Sequence, residues 1–130
     1  MGHLIQWDNR EKTVVLQQYT GEAIKDDLYY LAQKSADLLN RVSQTVYLII
    51  DERSVKHNLS SADVRFLEKH VPANQGMAVV IVDNKDLAYK KIVQEMNKKI
   101  APKAFEQPIF VESLEEARQV LQEQYGVHYP

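Results

Sequence analysis

The hydrophobic and polar positions of this chain alternate in one stretch and run together in others, and the pattern predicts five strands. They are the alternating stretch at Ile5 and Trp7, then residues 13–19, 45–50, 77–82 and 109–111. A polar, turn-like segment separates the first two, which therefore form a predicted hairpin. The runs 45–50 and 77–82 contain no alternation, which is typical of strands covered on both faces of a sheet.

Between these strands, apolar residues recur at helical spacing and predict four helices. Their ranges are residues 22–42, about 61–71 after a cap at Ser60 or Ser61, about 85–100, and 114–125. The first carries Ile24, Leu28, Leu31, Leu38, Leu39 and Val42 on one face, and the third carries Ala88, Ile92, Met96 and Ile100 at i+4 spacing. We expect each of these faces to pack on the sheet.

The predicted order of elements is ββαβαβαβα, which indicates an α/β fold. Helices that follow buried strands imply parallel crossovers, while the first hairpin makes the sheet mixed. We therefore expect one domain over residues 1–130, with a mixed central sheet of about five strands and four helices.

Composition narrows the class of protein. The chain has 130 residues, of which 45% are hydrophobic and 26% charged, and it contains no cysteine. Disulfides, thiolate metal sites and a cysteine nucleophile are therefore excluded. The N-terminus has no signal-peptide pattern and no apolar run reaches membrane-spanning length, so we expect a cytoplasmic protein without a membrane span. A net charge of −2 argues against general nucleic-acid binding.

A lysine-rich stretch stands out against this acidic balance. Residues 85–103 contain six lysines and two acidic residues, a local charge of +4. Such a stretch can attract an anionic ligand or partner, or form the solvated face of an amphipathic helix. The candidates for an anionic head group are Lys90, Lys91, Lys98 and Lys99.

Acidic residues end the two buried strands. Asp51 and Asp83 follow the apolar runs, with Glu52 and Asp86 close by. Ligands of open α/β sheets bind at the carboxyl ends of strands, so these residues could hold Mg²⁺ or accept a phosphoryl group. They could equally turn the chain or cap the next helix.

Few other residues indicate chemistry. No histidine pair has metal-ligand spacing, and the glycine-rich and nucleophile motifs that mark phosphate binding or acyl transfer are missing, so we expect no cofactor and no metal. Ser35 interrupts the apolar face of the first helix, where its hydroxyl can bond back to a carbonyl of the preceding turn. Ser60 and Ser61 form either a plain helix cap, with Asp63 three residues later, or a phosphorylation site at the positive end of a helix.

Taken in order, several segments resemble the STAS domain, which is shared by anti-sigma-factor antagonists and the cytoplasmic tails of sulphate transporters. They are Tyr19-Thr20-Gly21-Glu22-Ala23, Leu48-Ile49-Ile50-Asp51, Asn58-Leu59-Ser60-Ser61-Ala62, residues 78–82, and the ending from Ile109 to Ala117. Ser60 matches the family's phosphorylated serine, whereas Leu59 stands where the family has Asp and Ala62 where it has Gly. The resemblance also extends to the branch that is similar to lipid-binding SEC14-type domains.

Three functional hypotheses follow. The resemblance implies a non-enzymatic regulatory domain that binds an anti-sigma or kinase-like protein and is switched by phosphorylation. Its predicted contact surface consists of Asp51, Ser54, His57, Asn58, Ser60, Ser61 and Val64. A homodimer is also possible, because homodimers are common among small soluble domains. The second hypothesis is a binding domain for a lipid or nucleotide, with a pocket between helices and sheet near the lysines. The third is a metal-dependent phosphotransfer enzyme that uses Asp51, Asp83 and Asp86.

Overall fold

A computed structural model describes residues 2–21, 24–55 and 59–129 of the chain. In these ranges it has five strands, four α-helices and one 3₁₀ turn. The elements are β1 (His3–Trp7), β2 (Val14–Tyr19), α1 (Lys25–Asn40), β3 (Val46–Asp51), α2 (Ser61–Lys69), β4 (Gln75–Ile81), the 3₁₀ turn (Asn84–Asp86), α3 (Leu87–Lys98), β5 (Ile109–Val111) and α4 (Leu114–Tyr125). The predicted α/β class and the order ββαβαβαβα are confirmed.

The strands form one mixed sheet in the order β1-β2-β3-β4-β5 within the described residues. β1 and β2 pair antiparallel, as the predicted hairpin requires, and β2 to β5 pair parallel. Asn9 shapes the β1–β2 turn, because its side-chain oxygen accepts hydrogen bonds from the backbone N–H groups of Thr13 at 2.9 Å and Val14 at 3.2 Å. Turn chemistry therefore fixes the register of the hairpin.

Helix ends follow local capping signals. The Ser60 hydroxyl accepts from the backbone N–H of Asp63 at 3.2 Å, and the Asp63 carboxylate accepts from the Ser60 N–H at 2.8 Å, which completes a capping box at the start of α2. Ser113 caps α4 in a similar way, by accepting from the N–H of Glu116 at 3.1 Å. Gly126 ends α4 with φ of 66°, a conformation that glycine adopts without strain.

The sheet has two differently covered faces. One face, called here the α4 face, contains Val14, Ile49, Val79 and Val111 and packs against α4 through Leu121. The opposite face is called here the cavity face. There Val15 and Leu48 pack against Leu38 and Leu39 of α1, and Tyr19 packs against Leu28 and Leu31. Parallel crossovers that all move in one direction across a sheet place α1, α2 and α3 on the same side.

The third helix is shorter than predicted and faces the other way. The predicted inner stripe of Ile92, Met96 and Ile100 is exposed, and Ala88 is exposed with it. Gln94 is the buried residue of this helix instead. Its side-chain amide donates to the backbone carbonyls of Phe105 and Glu106, and these polar contacts set the rotation of α3 against its hydrophobic pattern.

Candidate ligand cavity

A cavity lies between the cavity face of the sheet and the helices that cover it. It has two adjoining compartments of about 140 and 110 Å³ that share lining residues, among them Tyr19, Leu28 and Phe105. The larger compartment is lined by Leu48, Ile50, Ala78 and Val80 of the sheet and by Leu28, Ala32, Leu67 and Val71 from the helical side. Each compartment approaches the roughly 150 Å³ that suffices for a benzene-sized molecule.

Ser35 of α1 lines the larger compartment and is only 5% exposed. Its hydroxyl oxygen has no hydrogen-bond partner among the described residues. The predicted bond back to a carbonyl of the preceding turn is therefore wrong. A buried polar group without a partner costs about 1–3 kcal/mol, so this hydroxyl is placed where a bound molecule could satisfy it.

Gln17 brings a second polar group to the same compartment. It lies in β2 between Ile5 of β1 and Ile50 of β3, in the middle of the cavity face, and is buried. No hydrogen bond in the described part of the chain involves its side-chain amide. An apolar residue would pack better than glutamine between two isoleucines. The effect of Gln17 is therefore to add a polar amide to the cavity wall.

The smaller compartment is lined by an ion pair. Lys90 of α3 lines it, and the ammonium group lies 3.2 Å from a carboxylate oxygen of Glu52, which borders both compartments. Tyr19 also borders both, and burial raises the pKa of its phenol, so the group stays neutral. One cation beside an apolar chamber can therefore meet an anionic end of a ligand, at the cost of loosening its pair with Glu52.

The other predicted anion-binding lysines lie outside the cavity. Lys91, Lys98 and Lys99 are exposed on or directly after α3 and line neither compartment. Of the four lysine candidates, the structure places Lys90 at the cavity and the remaining three on the solvent side.

The strand-end aspartates do not assemble into a metal site. Asp51 is 5% exposed, and its carboxylate accepts hydrogen bonds from Nε and Nη2 of Arg53 at 3.0 and 2.7 Å. Burial works to raise the pKa of Asp51, but the hydrogen bonds from Arg53 outweigh it and hold the pKa below its ordinary value. No group of three His, Asp or Glu side chains in the described residues could hold a metal ion, so Asp51, Asp83 and Asp86 are not brought together as ligands.

The predicted partner-binding surface is only partly at the surface. Val64 is 1% exposed and belongs to the interior, as Asp51 does, while Ser54 is half-buried in the turn after β3. Ser60 and Ser61 are exposed at the start of α2. The predictions for His57 and Asn58 lie outside the described residues.

Asp63 anchors the start of α2 through three different groups. Besides the Ser60 N–H, it accepts a hydrogen bond from the Tyr29 hydroxyl and pairs with the Lys25 ammonium at 3.0 Å. The Tyr29 hydroxyl, the Ser60 N–H and Lys25 together hold the pKa of Asp63 far below its usual range. The plain-cap interpretation of Ser60 is therefore confirmed geometrically, and its hydroxyl remains exposed at a helix N-terminus.

Comparison with known proteins finds no matching family model, curated protein or solved structure. None of the helices in the described residues is long and apolar enough to cross a membrane.

The sequence predicted a pocket between helices and sheet with Lys90 among its candidate residues, but it singled out Ser35 only as an interruption of an apolar helix face. Gln17 was missed, although its position in the strand pattern is a usable signal. Val15, Gln17 and Tyr19 share one face of β2, and a glutamine between two residues of a covered face marks a polar wall.

Proposed function

We propose that this chain is a non-enzymatic binding domain that holds a small amphiphile, with an apolar body and one anionic or hydrogen-bonding end, in the cavity. The observation that carries the proposal is the buried, unpartnered hydroxyl of Ser35 in an otherwise largely apolar chamber. Pockets that bind small molecules typically have this combination of a mostly apolar lining and a few polar groups that orient the ligand.

The lining favours an amphiphile over a nucleotide. Among the lysines that the structure describes, only Lys90 lines either compartment, whereas a nucleotide needs several donors for its phosphates. The chain has only four glycines, too few to favour a backbone phosphate cradle. The resemblance to the branch of STAS domains similar to SEC14-type lipid binders supports the same choice.

Thermal unfolding with decanoate, decanol and ATP tests the proposal. A ligand of the native state raises the melting temperature with concentration. We expect decanoate and decanol to raise it and ATP to leave it unchanged. Flat curves for both ten-carbon probes would overturn the proposal for this ligand class.

Ser35→Ala separates a ligand-binding role from a structural role. Removing an unpartnered hydroxyl should leave the ligand-free protein equally or more stable, while the shift caused by decanol decreases. Ser43→Ala, which alters an exposed serine, is the control. A loss of stability with an unchanged decanol shift would mean that Ser35 supports the fold and not a ligand.

Lys90→Met, with Lys91→Met as its exposed neighbour and control, tests the anionic end. We expect Lys90→Met to reduce the decanoate shift more than the decanol shift, since only decanoate carries a charge for the ammonium group. An equal reduction for both probes would remove Lys90 from the site.

A regulatory interaction domain of the STAS type is the second candidate. The exposed hydroxyls of Ser60 and Ser61 at the start of α2 favour it, because a phosphate there would lie at the positive end of a helix. Intact-mass measurement and phosphosite mapping on protein isolated from its native cells test it. A phosphate on Ser60 or Ser61 would support the switch, and unmodified protein under all growth conditions would count against it.

A further inference from the structure

The outward face of α3 carries a stripe of large apolar side chains. Tyr89, Ile92 and Met96 are 57%, 59% and 63% exposed, and Ile100 follows them just beyond the end of the helix at 43%. Residues three and four apart lie on the same side of a helix, so these side chains form one continuous stripe. Contiguous exposed apolar surface on a small domain marks an interaction site.

Specific polar contacts on the opposite side of α3 hold the stripe in its exposed position. Gln94 and Lys90 hold the opposite side of α3 through contacts with Phe105, Glu106 and Glu52. Rotating the stripe inward would turn Gln94 and Lys90 to solvent and leave the Glu52 carboxylate and the carbonyls of Phe105 and Glu106 without these donors. The exposed position of the stripe is therefore a fixed property of the fold.

Exposed cations lie in the same segment as the stripe. Lys85, Lys91, Lys98, Lys99 and Lys103 are all exposed, against the two acidic residues Asp86 and Glu95 of the same segment. The segment has a charge of +4 in a chain whose net charge is −2. A segment that combines an exposed apolar stripe with exposed cations is complementary to a surface that is apolar within and anionic outside.

We propose that α3 docks this protein on the surface of membranes that contain anionic phospholipids. Ile92 and Met96 enter the boundary between head groups and acyl chains, Tyr89 lies at the level of the head groups, and the lysines meet lipid phosphates. The helix lies on the membrane and does not cross it. The proposal does not depend on the cavity or its ligand.

Two features favour a membrane over a protein partner. The segment contains six lysines and no arginine, whereas protein interfaces are enriched in arginine and depleted of lysine. A second copy of this chain would also bring two positively charged segments together, which opposes pairing through this face.

Sedimentation with lipid vesicles tests the proposal. We expect the wild-type protein to sediment with vesicles of phosphatidylcholine mixed with phosphatidylglycerol, much less with phosphatidylcholine alone, and less as salt is added. No association with the mixed vesicles at low salt would overturn the proposal.

Two sets of variants measure separately how much the apolar stripe and the exposed lysines contribute to vesicle binding. Ile92→Ser should weaken vesicle binding, whereas Leu4→Ser, which changes an exposed apolar residue of β1, should not.

The triple change Lys91→Gln, Lys98→Gln and Lys99→Gln should weaken binding by on the order of 100-fold, at about fivefold per lysine. The matched triple change Arg10→Gln, Arg41→Gln and Lys69→Gln removes the same charge elsewhere and should leave most of the binding intact. Equal losses in both triples would mean general charge attraction and overturn docking through α3.

Measuring the oligomeric state distinguishes membrane docking from the alternative, in which the stripe is covered by a second copy of the chain. All these residues are exposed, so circular dichroism and melting temperature should stay unchanged in every variant. If the wild-type protein is a dimer that Ile92→Ser converts to a monomer, and neither associates with vesicles, the stripe is a dimer interface and the proposal is wrong.

Discussion

The side-chain amide of Gln94, in the middle of α3, donates a hydrogen bond to the backbone carbonyl of Phe105 in the connection to β5. The same nitrogen lies 3.3 Å from the carbonyl oxygen of Glu106. One buried side chain thus fixes both the rotation of a helix and the course of the loop that closes one wall of the cavity.

Replacing Gln94 by methionine tests this role. The change keeps the volume and removes the donor, so two carbonyls lose their partner, and we expect the free energy of unfolding to fall by about 1–3 kcal/mol. Chemical denaturation measures it. Gln122→Met, on the exposed side of α4, is the control and should have an effect below about 0.5 kcal/mol. An equal effect of the two changes would show that the Gln94 bonds are not stabilising.

Filling the cavity should stabilise the protein and block ligand binding together. Ala32→Leu adds three carbons to a residue that lines the larger compartment, and burying them should raise the free energy of unfolding by about 1–2 kcal/mol. The decanol-dependent rise in melting temperature should disappear. Gln33→Leu adds an exposed leucine to the same helix and should keep the decanol response. A destabilised Ala32→Leu variant that still responds would place the ligand elsewhere.

Asp63 should make the stability of the protein depend on acid pH. The Tyr29 hydroxyl, the Ser60 N–H and Lys25 lower the pKa of Asp63 in the folded protein. The contribution of Asp63 to the free energy of unfolding is therefore fully present above the ordinary aspartate pKa of 3.8, and it is lost as the pH falls through the lower pKa of the folded state. At pH 7, Asp63→Asn should cost about 1–3 kcal/mol of unfolding free energy.

The difference between wild type and Asp63→Asn should narrow steadily below about pH 4, because the unfolded wild-type chain then takes up a proton that the folded protein does not. Urea titrations at several pH values measure the difference. Asp37→Asn, on the exposed side of α1, is the control and should change the free energy of unfolding at pH 7 by less than about 0.5 kcal/mol. A constant difference for Asp63→Asn would contradict the assignment.

Gly76 should tolerate no side chain. A Cβ atom there would lie 2.9 Å from Thr45 Cγ2 and 2.9 Å from Tyr47 Cδ1, at the point where the β3–β4 register shifts. Gly76→Ala should therefore lower the free energy of unfolding by about 1–3 kcal/mol. At Gly21 nothing lies within 4 Å of the added atom, so Gly21→Ala should be neutral or stabilise by up to about 1 kcal/mol. Thermal melts compare the two variants directly. Equal melting temperatures would show that Thr45 and Tyr47 move aside without lowering the stability of the protein.

Much of the fold could be predicted because its signals are local. Residues 109–111 and 114–125 coincide with β5 and α4, since an apolar triplet, the Ser113 cap and Gly126 mark these boundaries within a few residues of each other. The start of α2 followed from its cap in the same way. The prediction for α3 gave its presence and missed its face, because the contacts of Gln94 with a distant main chain leave no trace in hydrophobic periodicity.

The candidate site was harder to predict because a cavity is a property of the spacing between elements. Ser35 could be recognised as an interruption of an apolar helix face, but its lack of a partner depends on how far α1 stands from the sheet. Asp51 was open to two interpretations, a ligand or a residue that turns the chain after a strand. Its carboxylate accepts from the backbone N–H of Arg53 at 3.1 Å and from the Arg53 guanidinium through both oxygens, which agrees with the turn.

The order of the sheet has a consequence for how the protein is made. Every strand pairs with its neighbour in the chain, so the sheet can grow one strand at a time during synthesis. The pairings of β2 to β5 are parallel and each needs a helical crossover, so they form slowly and leave apolar surface exposed meanwhile. The α4 face is different, because Val14, Ile49 and Val79 are covered by the last helix. We expect a chain that stops after Glu112 to bind a hydrophobic dye strongly and to aggregate, whereas the chain extended through α4 does not. Synthesis of α4 is therefore the step that shields this aggregation-prone face of the nascent protein.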